Sequence, residues 1–279
     1  MKTNHIYVGD NVETLKTLPD ESVDMCITSP PYYNLRDYKN DDQLGSEPTV
    51  TDFVDGLIEV FSEIHRVMKP TGSCWVNIGD TYSDKKLLQV PSRFEIAMSD
   101  AGWSLRNEII WNKPNPQPIS SKDRFWSNHE KIFWFVKKTK GYYFDREPIK
   151  VPQAEVSVRR MFSNNNLSKR KDAGATEKEG FSLSSGSQDK HYAKMRESLD
   201  IDKDFDYDEL VASGKCPSRP MFSVWDISTT SYKGAHFAVY PPELIERPIL
   251  STCPPNGIVI DPFMGSGTTA VVAKNNGRQ

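Results

Sequence analysis

No run of apolar residues in the chain approaches the ~20 that a membrane-spanning helix needs, and the opening Met1-Lys2-Thr3-Asn4-His5 lacks the apolar stretch of a secretion signal. A protein of the cytoplasm with no membrane partner is expected. Cysteine is scarce: Cys26, Cys74, Cys216 and Cys253 lie far apart and form no Cys-x-x-Cys pair, so a zinc site or other metal centre has no support. Cys26 and Cys74 sit in apolar runs and read as small buried hydrophobes. Neither charge dominates. With 35 basic and 38 acidic residues the net charge is −3, which argues mildly against a nucleic-acid protein and leaves local distribution to decide. A hydrophobic content of 37% in 279 residues is modest, yet enough for one large α/β domain or a core with an insertion. No internal repeat is visible.

What is present alternates in type. His5 to Gly9 reads as a short strand, followed by a helix through Leu15 and Leu18. Val23–Thr28 is a buried strand stopped by Pro30 and Pro31. Phe53, Leu57, Ile58, Phe61, Ile64, Val67 and Met68 have helical spacing, with Thr51 or Asp52 as the cap and Pro70-Thr71-Gly72 as the stop. Ser73 to Ile78 is the next strand. Leu87 to Ala101 is a helix with Pro91 in its first turn and Gly102 as its stop, and strands follow at Leu105 to Trp111 and Lys131 to Val136. Alternation of this kind predicts a parallel, doubly wound sheet.

The pattern breaks at residues 163–190, which are rich in Ser, Asn, Gly and Lys and suggest a partly disordered insertion. Regular structure returns at Tyr240, with a helix opened by Pro241-Pro242 and running through Leu250. An apolar strand, Gly257 to Ile260, then leads into Asp261-Pro262-Phe263-Met264-Gly265-Ser266-Gly267-Thr268-Thr269 and a last helix to Lys274.

Two loops carry the candidate chemistry. A strand, a turn of small residues and a helix make a nucleotide-cofactor geometry, in which glycine admits close approach and the helix start offers N–H donors. The turn at Gly265-Ser266-Gly267 lacks the Gly-Lys-Ser/Thr of a triphosphate loop. A carboxylate on a cofactor's amino-acid tail suits such donors, and Asp261 suits the tail's amino group. By these residues alone, the turn either holds that ligand or simply closes a strand-to-helix corner. The second loop is Ser29-Pro30-Pro31-Tyr32, at the end of a buried strand. Prolines fix its backbone and remove N–H donors. The Ser29 hydroxyl and the Pro30 carbonyl can then accept from a ring-attached amine, and Tyr32, with Tyr33 behind it, offers an aromatic face. Two such acceptors would localise a lone pair otherwise delocalised into the ring. The alternative is a rigid turn with a core tyrosine.

Taken together, Thr28-Ser29-Pro30-Pro31-Tyr32 and the downstream Asp261 to Thr269 motif resemble the amino-methyltransferases of bacterial and phage restriction–modification systems. Their order, catalytic motif first and cofactor motif last, resembles the beta group, a circular permutation of the Rossmann-like methyltransferase fold. Trp111-Asn112-Lys113-Pro114, His129-Glu130, Ala235-His236-Phe237-Ala238 and Tyr240-Pro241 are similar to further family segments, so the likeness covers most of the chain. It implies a site-specific DNA methyltransferase using S-adenosyl-L-methionine on double-stranded DNA, encoded by a prokaryote or phage. Asp261, Phe263, Gly265, Ser266, Gly267, Thr268 and Thr269 would hold the cofactor, with Asp10 near its adenosine. Ser29, Pro30, Pro31 and Tyr32 would hold the target amine of a base turned out of the duplex. Serine at the first motif position implies cytosine N4 in preference to adenine N6. A non-catalytic DNA-binding module and a methyltransferase acting on RNA or protein amides are the remaining readings.

The resemblance divides the chain into a catalytic part at 1–150, a target-recognition insertion at 151–225 and a cofactor part at 226–279. Arg159, Arg160, Lys169, Arg170 and Lys171, five basic residues with no acidic one between Val156 and Lys171, would contact DNA, though such a run also suits a solvated face. Lys137-Lys138-Thr139-Lys140 is a second such stretch. The family also implies a homodimer and a paired restriction endonuclease. It leads one to expect a further strand past residue 279, ending in an acidic residue for the ribose hydroxyls. Either the chain is cut short here, or another segment or a second subunit supplies that contact.

Overall fold

A computed structural model describes residues 1–36, 43–162, 201, 205–229 and 240–279. It separates into two compact units, residues 1–149 with 222–279, and residues 150–221. The expected insertion at 163–190, with Lys169, Arg170 and Lys171, lies outside the described residues, as does the 235–238 segment.

The larger unit is built on a sheet of six strands. In chain order its elements are α1 (Asn11–Lys16), β1 (Val23–Thr28), α2 (Val50–Val67), β2 (Met68–Ile78), a small hairpin of β3 (Tyr82–Ser83) and β4 (Lys86–Leu87), and α3 (Val90–Asp100). β5 (Ser104–Asn112), β6 (His129–Val136), β9 (Val224–Asp226), α6 (Pro242–Thr252), β10 (Val259–Ile260) and α7 (Thr268–Asn275) complete it. The strand order is β10-β1-β2-β6-β5-β9. β10, β1 and β2 run parallel, and so do β5 and β9. β6 is antiparallel to both neighbours, so the sheet is mixed and not wholly parallel as the alternation suggested. The cause lies in residues 113–128. They carry Pro114, Pro116 and Pro118 and form no crossover helix, and a parallel return needs one.

The helices cover both faces. α2 places Phe53, Leu57, Phe61 and Ile64 inward, where they meet Cys26, Cys74, Val76, Phe133 and Phe135 from the strands and Phe94 and Met98 from α3. Full burial of each large side chain contributes roughly 1.5–3 kcal/mol. Alternation sends the intervening residues to the opposite face. There the Trp75 indole donates to the Thr252 hydroxyl of α6 at 2.9 Å and stacks on Trp134 at 5.3 Å between centroids. Cys26 and Cys74 face each other in the β1–β2 register, as buried as their apolar runs suggested.

Several local expectations change, among them the start of α3, which is Val90 because Leu87 belongs to β4. Residues 5–9 form no strand; Ile6, Tyr7 and Val8 are exposed, with Val8 at 96%. An apolar run becomes a strand only where a neighbour completes its hydrogen bonds. The cap of α2 is Thr49, whose hydroxyl accepts from the Asp52 N–H, a little earlier than read from the sequence. Pro70, Thr71 and Gly72 make no separate turn but belong to the irregular first half of β2.

The described part of the second unit comprises β7 (Lys150–Pro152), α4 (Glu155–Phe162), α5 (Tyr207–Ala212) and β8 (Ser218–Pro220), with β7 and β8 antiparallel. Val158, Met161 and Leu210 form its small core.

Candidate active site

The sheet brings the ends of its strands to one edge. β1, β2, β5 and β10 end there, and β6, running the other way, begins there. Ligands of open α/β sheets bind at this edge.

Both sequence loops meet at it. Thr28, the last residue of β1, donates its hydroxyl to Asp261 Oδ1 at 2.5 Å, although 233 residues separate them. Asp261 has more partners. Its Oδ1 accepts the Phe263 N–H at 3.0 Å, and its Oδ2 accepts the hydroxyls of Thr269 at 2.5 Å and Tyr240 at 3.3 Å. Tyr240 also bonds the Thr269 hydroxyl. Burial pushes the Asp261 carboxyl above its ordinary value, against the opposing pull of these donors. The Tyr240 phenol is raised as well, by burial and then by the nearby Asp261 charge. Asp261 therefore ties β1 to the glycine turn, a role that its position in the sequence does not display.

Beyond Asp261 the chain makes a turn that glycine permits. Gly265 and Gly267 have φ of +54° and +85°, in the left-handed region that favours glycine. Gly267 N–H bonds the Met264 carbonyl at 3.0 Å, and the Ser266 and Thr268 hydroxyls are 3.2 Å apart. Among the described residues nothing lies within 4 Å of the position that a Gly267 Cβ would take. Gly267 also caps α7 without a side-chain hydrogen bond, so the cap itself leaves the first N–H groups of the helix without an acceptor. Space, donors and a buried carboxylate behind them fit the amino-acid tail of S-adenosyl-L-methionine. Phe263, half-buried, packs against the margin of the main core, as do Ile258, Ile260 and Val12. Asp10 caps α1, accepting from the Glu13 N–H at 2.8 Å, and is exposed.

On the catalytic side, Ser29, Pro31 and Tyr32 are half-buried and Pro30 is buried. Tyr32 is fixed more firmly than its place in a loop suggests. Its hydroxyl donates to Glu130 Oε2 at 2.7 Å and accepts from Asn77 Nδ2 at 2.9 Å. Asn77 Nδ2 also reaches Glu130 Oε2 at 2.9 Å and Ser29 Oγ at 3.4 Å. The second Glu130 oxygen takes the ammonium of Lys113, which lies 4.4 Å above the Trp111 ring centre. Burial, then the Glu130 charge, raise the Tyr32 phenol well above its ordinary value, so it stays neutral and cannot serve as a base. Gly79, immediately after β2, lies against the same ring: a Cβ there would fall 2.5 Å from Tyr32 Cε2.

The motif reading missed Asn77, Gly79 and the roles of Lys113 and Glu130. Asn77 gave a faint signal as a polar residue in an otherwise apolar strand. Arg159 and Arg160 lie on α4 in the second unit, and Arg159 is engaged there by Glu155 at 2.7 Å and by the Phe205 ring.

A family model described as DNA methylase, of the N6/N4 type, matches residues 23–279. The chain is 33% identical to the Type II methyltransferase M.Cfr9I of Citrobacter freundii, over 98% of this chain and 81% of that one. It is 32% identical to the Type II methyltransferase M.SmaI of Serratia marcescens, over 100% and 85%. Among solved structures, the PvuII cytosine-N4-specific DNA methyltransferase aligns with a TM-score of 0.62 at 21% identity, covering 98% of this chain and 78% of the other. A putative DNA modification methylase of Thermus thermophilus, complexed with S-adenosyl-L-methionine, aligns at 0.53 and 21% identity, over 98% and 85%.

Proposed function

The chain belongs to the N6/N4 DNA methylase family, a family of S-adenosyl-L-methionine-dependent DNA amino-methyltransferases, and from that premise we propose that it methylates the exocyclic N4 of cytosine at a specific site in duplex DNA. The observation that carries the reading is the bond from Thr28 to Asp261, which sets the Ser-Pro-Pro-Tyr loop beside the glycine turn. Serine at position 29 supports cytosine over adenine, as does the fold shared with a cytosine-N4-specific enzyme.

When bound, S-adenosyl-L-methionine supplies a methyl group made electrophilic by its sulfonium. The protein's part is placement. Gly265, Gly267 and the start of α7 would hold the cofactor's carboxylate, with Asp261 bracing the turn through Thr28, Phe263 and Thr269 and suited to the tail's amino group. Ser29 Oγ and the Pro30 carbonyl accept the two amine hydrogens and draw the nitrogen toward a tetrahedral form. Tyr32, pinned at its hydroxyl, stacks on the base. The target amine is enclosed in the duplex, so the base must leave the stack, at a cost of roughly a few kcal/mol. Alignment at near-attack distance is then the main catalytic effect. No strong base is required, because the nitrogen becomes acidic once methylated. The Ser29-to-Tyr32 loop holds no cysteine for a covalent intermediate, which argues against methylation at a ring carbon.

Mass spectrometry of nucleosides from DNA methylated by the purified chain is expected to show N4-methylcytosine. N6-methyladenine as the product would overturn the cytosine assignment.

Target recognition is assigned to the second unit, on the strength of its separate core and of the basic run that begins at Arg159 and Arg160. Removing residues 163–190 is expected to leave cofactor affinity intact and to relax site choice. Unchanged site choice, read by modified-base sequencing, would return the segment to a surface role. A homodimer and a paired restriction endonuclease are the finer part of this reading. The Type II names of the relatives support the second, and sedimentation of the purified chain decides the first.

A further inference from the structure

We infer that Phe125 is the side chain that enters the duplex to fill the place of the target base when that base turns out. The inference rests on the DNA methylation proposed above and concerns the loop of residues 113–128.

The two feet of this loop stand in the catalytic pocket. At one foot is Lys113 and just beyond the other is Glu130, and these two residues pair with each other while Glu130 accepts from Tyr32. The Lys113 N–H bonds the Asn128 carbonyl at 2.8 Å, which closes the base of the loop. The base of the loop therefore shares its residues with the pocket that a flipped base must enter.

The loop is also stiff. Pro114, Pro116 and Pro118 restrict its first half. Asn115 is fixed twice to Thr229, donating to its carbonyl at 3.0 Å and accepting its N–H at 2.9 Å. The second half is tied to the β3–β4 hairpin, where Arg124 lies 3.6 Å over the Tyr82 ring and Asp123 pairs with Lys85 at 2.9 Å. Trp126 is used within the loop, donating its indole N–H to the Ser121 carbonyl at 3.2 Å. Phe125 is held differently. On this braced frame its ring is 98% exposed.

A rigid loop that projects a bare aromatic ring buries nothing in the free protein. Phenylalanine is among the apolar wedges that proteins insert between base steps, where the ring replaces lost stacking. The surroundings suit a duplex, since Lys122, three residues before Phe125, is exposed, and so is Lys86, which follows the Lys85 that pairs with Asp123; both can meet phosphates.

The test uses the full chain and its own site, read first by modified-base sequencing. Methylation is followed on two duplexes, one with the target base paired and one with it mismatched and so already partly free. Phe125→Ala is expected to slow the paired duplex by about 10- to 100-fold while the mismatched duplex keeps nearly the wild-type rate, because the mismatch has already lowered the opening cost. Phe125→Leu is expected to restore much of the paired rate. Equal loss on both duplexes, or no loss on either, would overturn the wedge. If wild type methylates neither duplex, the proposed function fails, and that outcome is distinct from every other.

Discussion

Gly79→Ala is expected to slow methylation by about 100-fold, the effect of misplacing a reacting group by about 1 Å, with cofactor affinity near wild type. The added methyl would lie 2.5, 3.0 and 3.2 Å from Cε2, Cδ2 and Cζ of Tyr32. Carbon atoms settle at about 3.5–4.0 Å, so one of the two groups must move by about an ångström. The backbone of Gly79 follows a buried strand paired on both sides and has little freedom. The ring is the part that can give way, and moving it strains the hydroxyl's bonds to Glu130 and Asn77. Overpacking of this kind costs roughly 1–3 kcal/mol of stability, which a thermal melt would register as a modest drop in a folded protein.

A double-mutant cycle separates a misplaced ring from general damage. Tyr32→Ala alone removes a stacking surface worth roughly 1–3 kcal/mol per base and should slow methylation without altering cofactor binding measured by calorimetry. In the Tyr32→Ala background the methyl of Gly79→Ala meets no ring, so the second substitution should add almost nothing. Two residues in contact show such coupling, and independent sites show additive losses. Additive losses here would mean that Gly79 acts elsewhere, and an equal loss of cofactor binding in Tyr32→Ala would remove the role given to that ring.

The difference between Gly79 and Tyr32 marks what a sequence displays. Tyr32 stands in a motif with two prolines and is conspicuous along the chain. Gly79 is an ordinary glycine after a strand, and its purpose exists only once β1 and β2 lie side by side. β1 and α2 were legible because a buried run and a helical stripe are written locally, in residues whose partners need not be known. Residues 5–9 looked equally strand-like, yet a strand is completed by its neighbour, and the run alone cannot supply one. The reversed direction of β6 was legible in principle, since three prolines within residues 113–128 leave no room for the crossover helix of a parallel connection. The Lys113–Glu130–Asn77 group was not, because its members come from three neighbouring strands or their ends, and only the register β2–β6–β5 brings them to Tyr32.

Asp261 poses the same problem at the cofactor end, and its substitution is the second large effect expected. Read as sequence, its carboxylate suits the amino group of the cofactor's tail. In the fold it already serves four donors: Thr28, Thr269, Tyr240 and the Phe263 N–H. Asp261→Ala leaves all four without their acceptor, each loss carrying a penalty of roughly 1–3 kcal/mol and the set combining less than additively. The turn should loosen, weakening S-adenosyl-L-methionine binding by about 100-fold, since each 1.4 kcal/mol is a factor of ten, and the melting temperature should fall.

Asp261→Asn distinguishes charge from bonding. The asparagine oxygen can serve Thr28 and the Phe263 N–H, while its NH₂ faces the Tyr240 and Thr269 hydroxyls, which can rotate to accept. If Asp261 works by holding the two loops together, the asparagine variant should recover most of the lost stability and remain within about tenfold of wild-type affinity, one step of 1.4 kcal/mol. If its charge is what binds the cofactor, affinity should stay as low as in the alanine variant despite recovered stability. The pH dependence has a definite sign. A carboxyl whose folded pKa is raised costs stability as pH climbs from the ordinary carboxylate value through the folded one. Asparagine has no such cost, so the stability difference between wild type and Asp261→Asn should shift in favour of asparagine as pH rises through that window. A difference that stays flat across the window would mean that the Asp261 carboxyl is not raised by its burial.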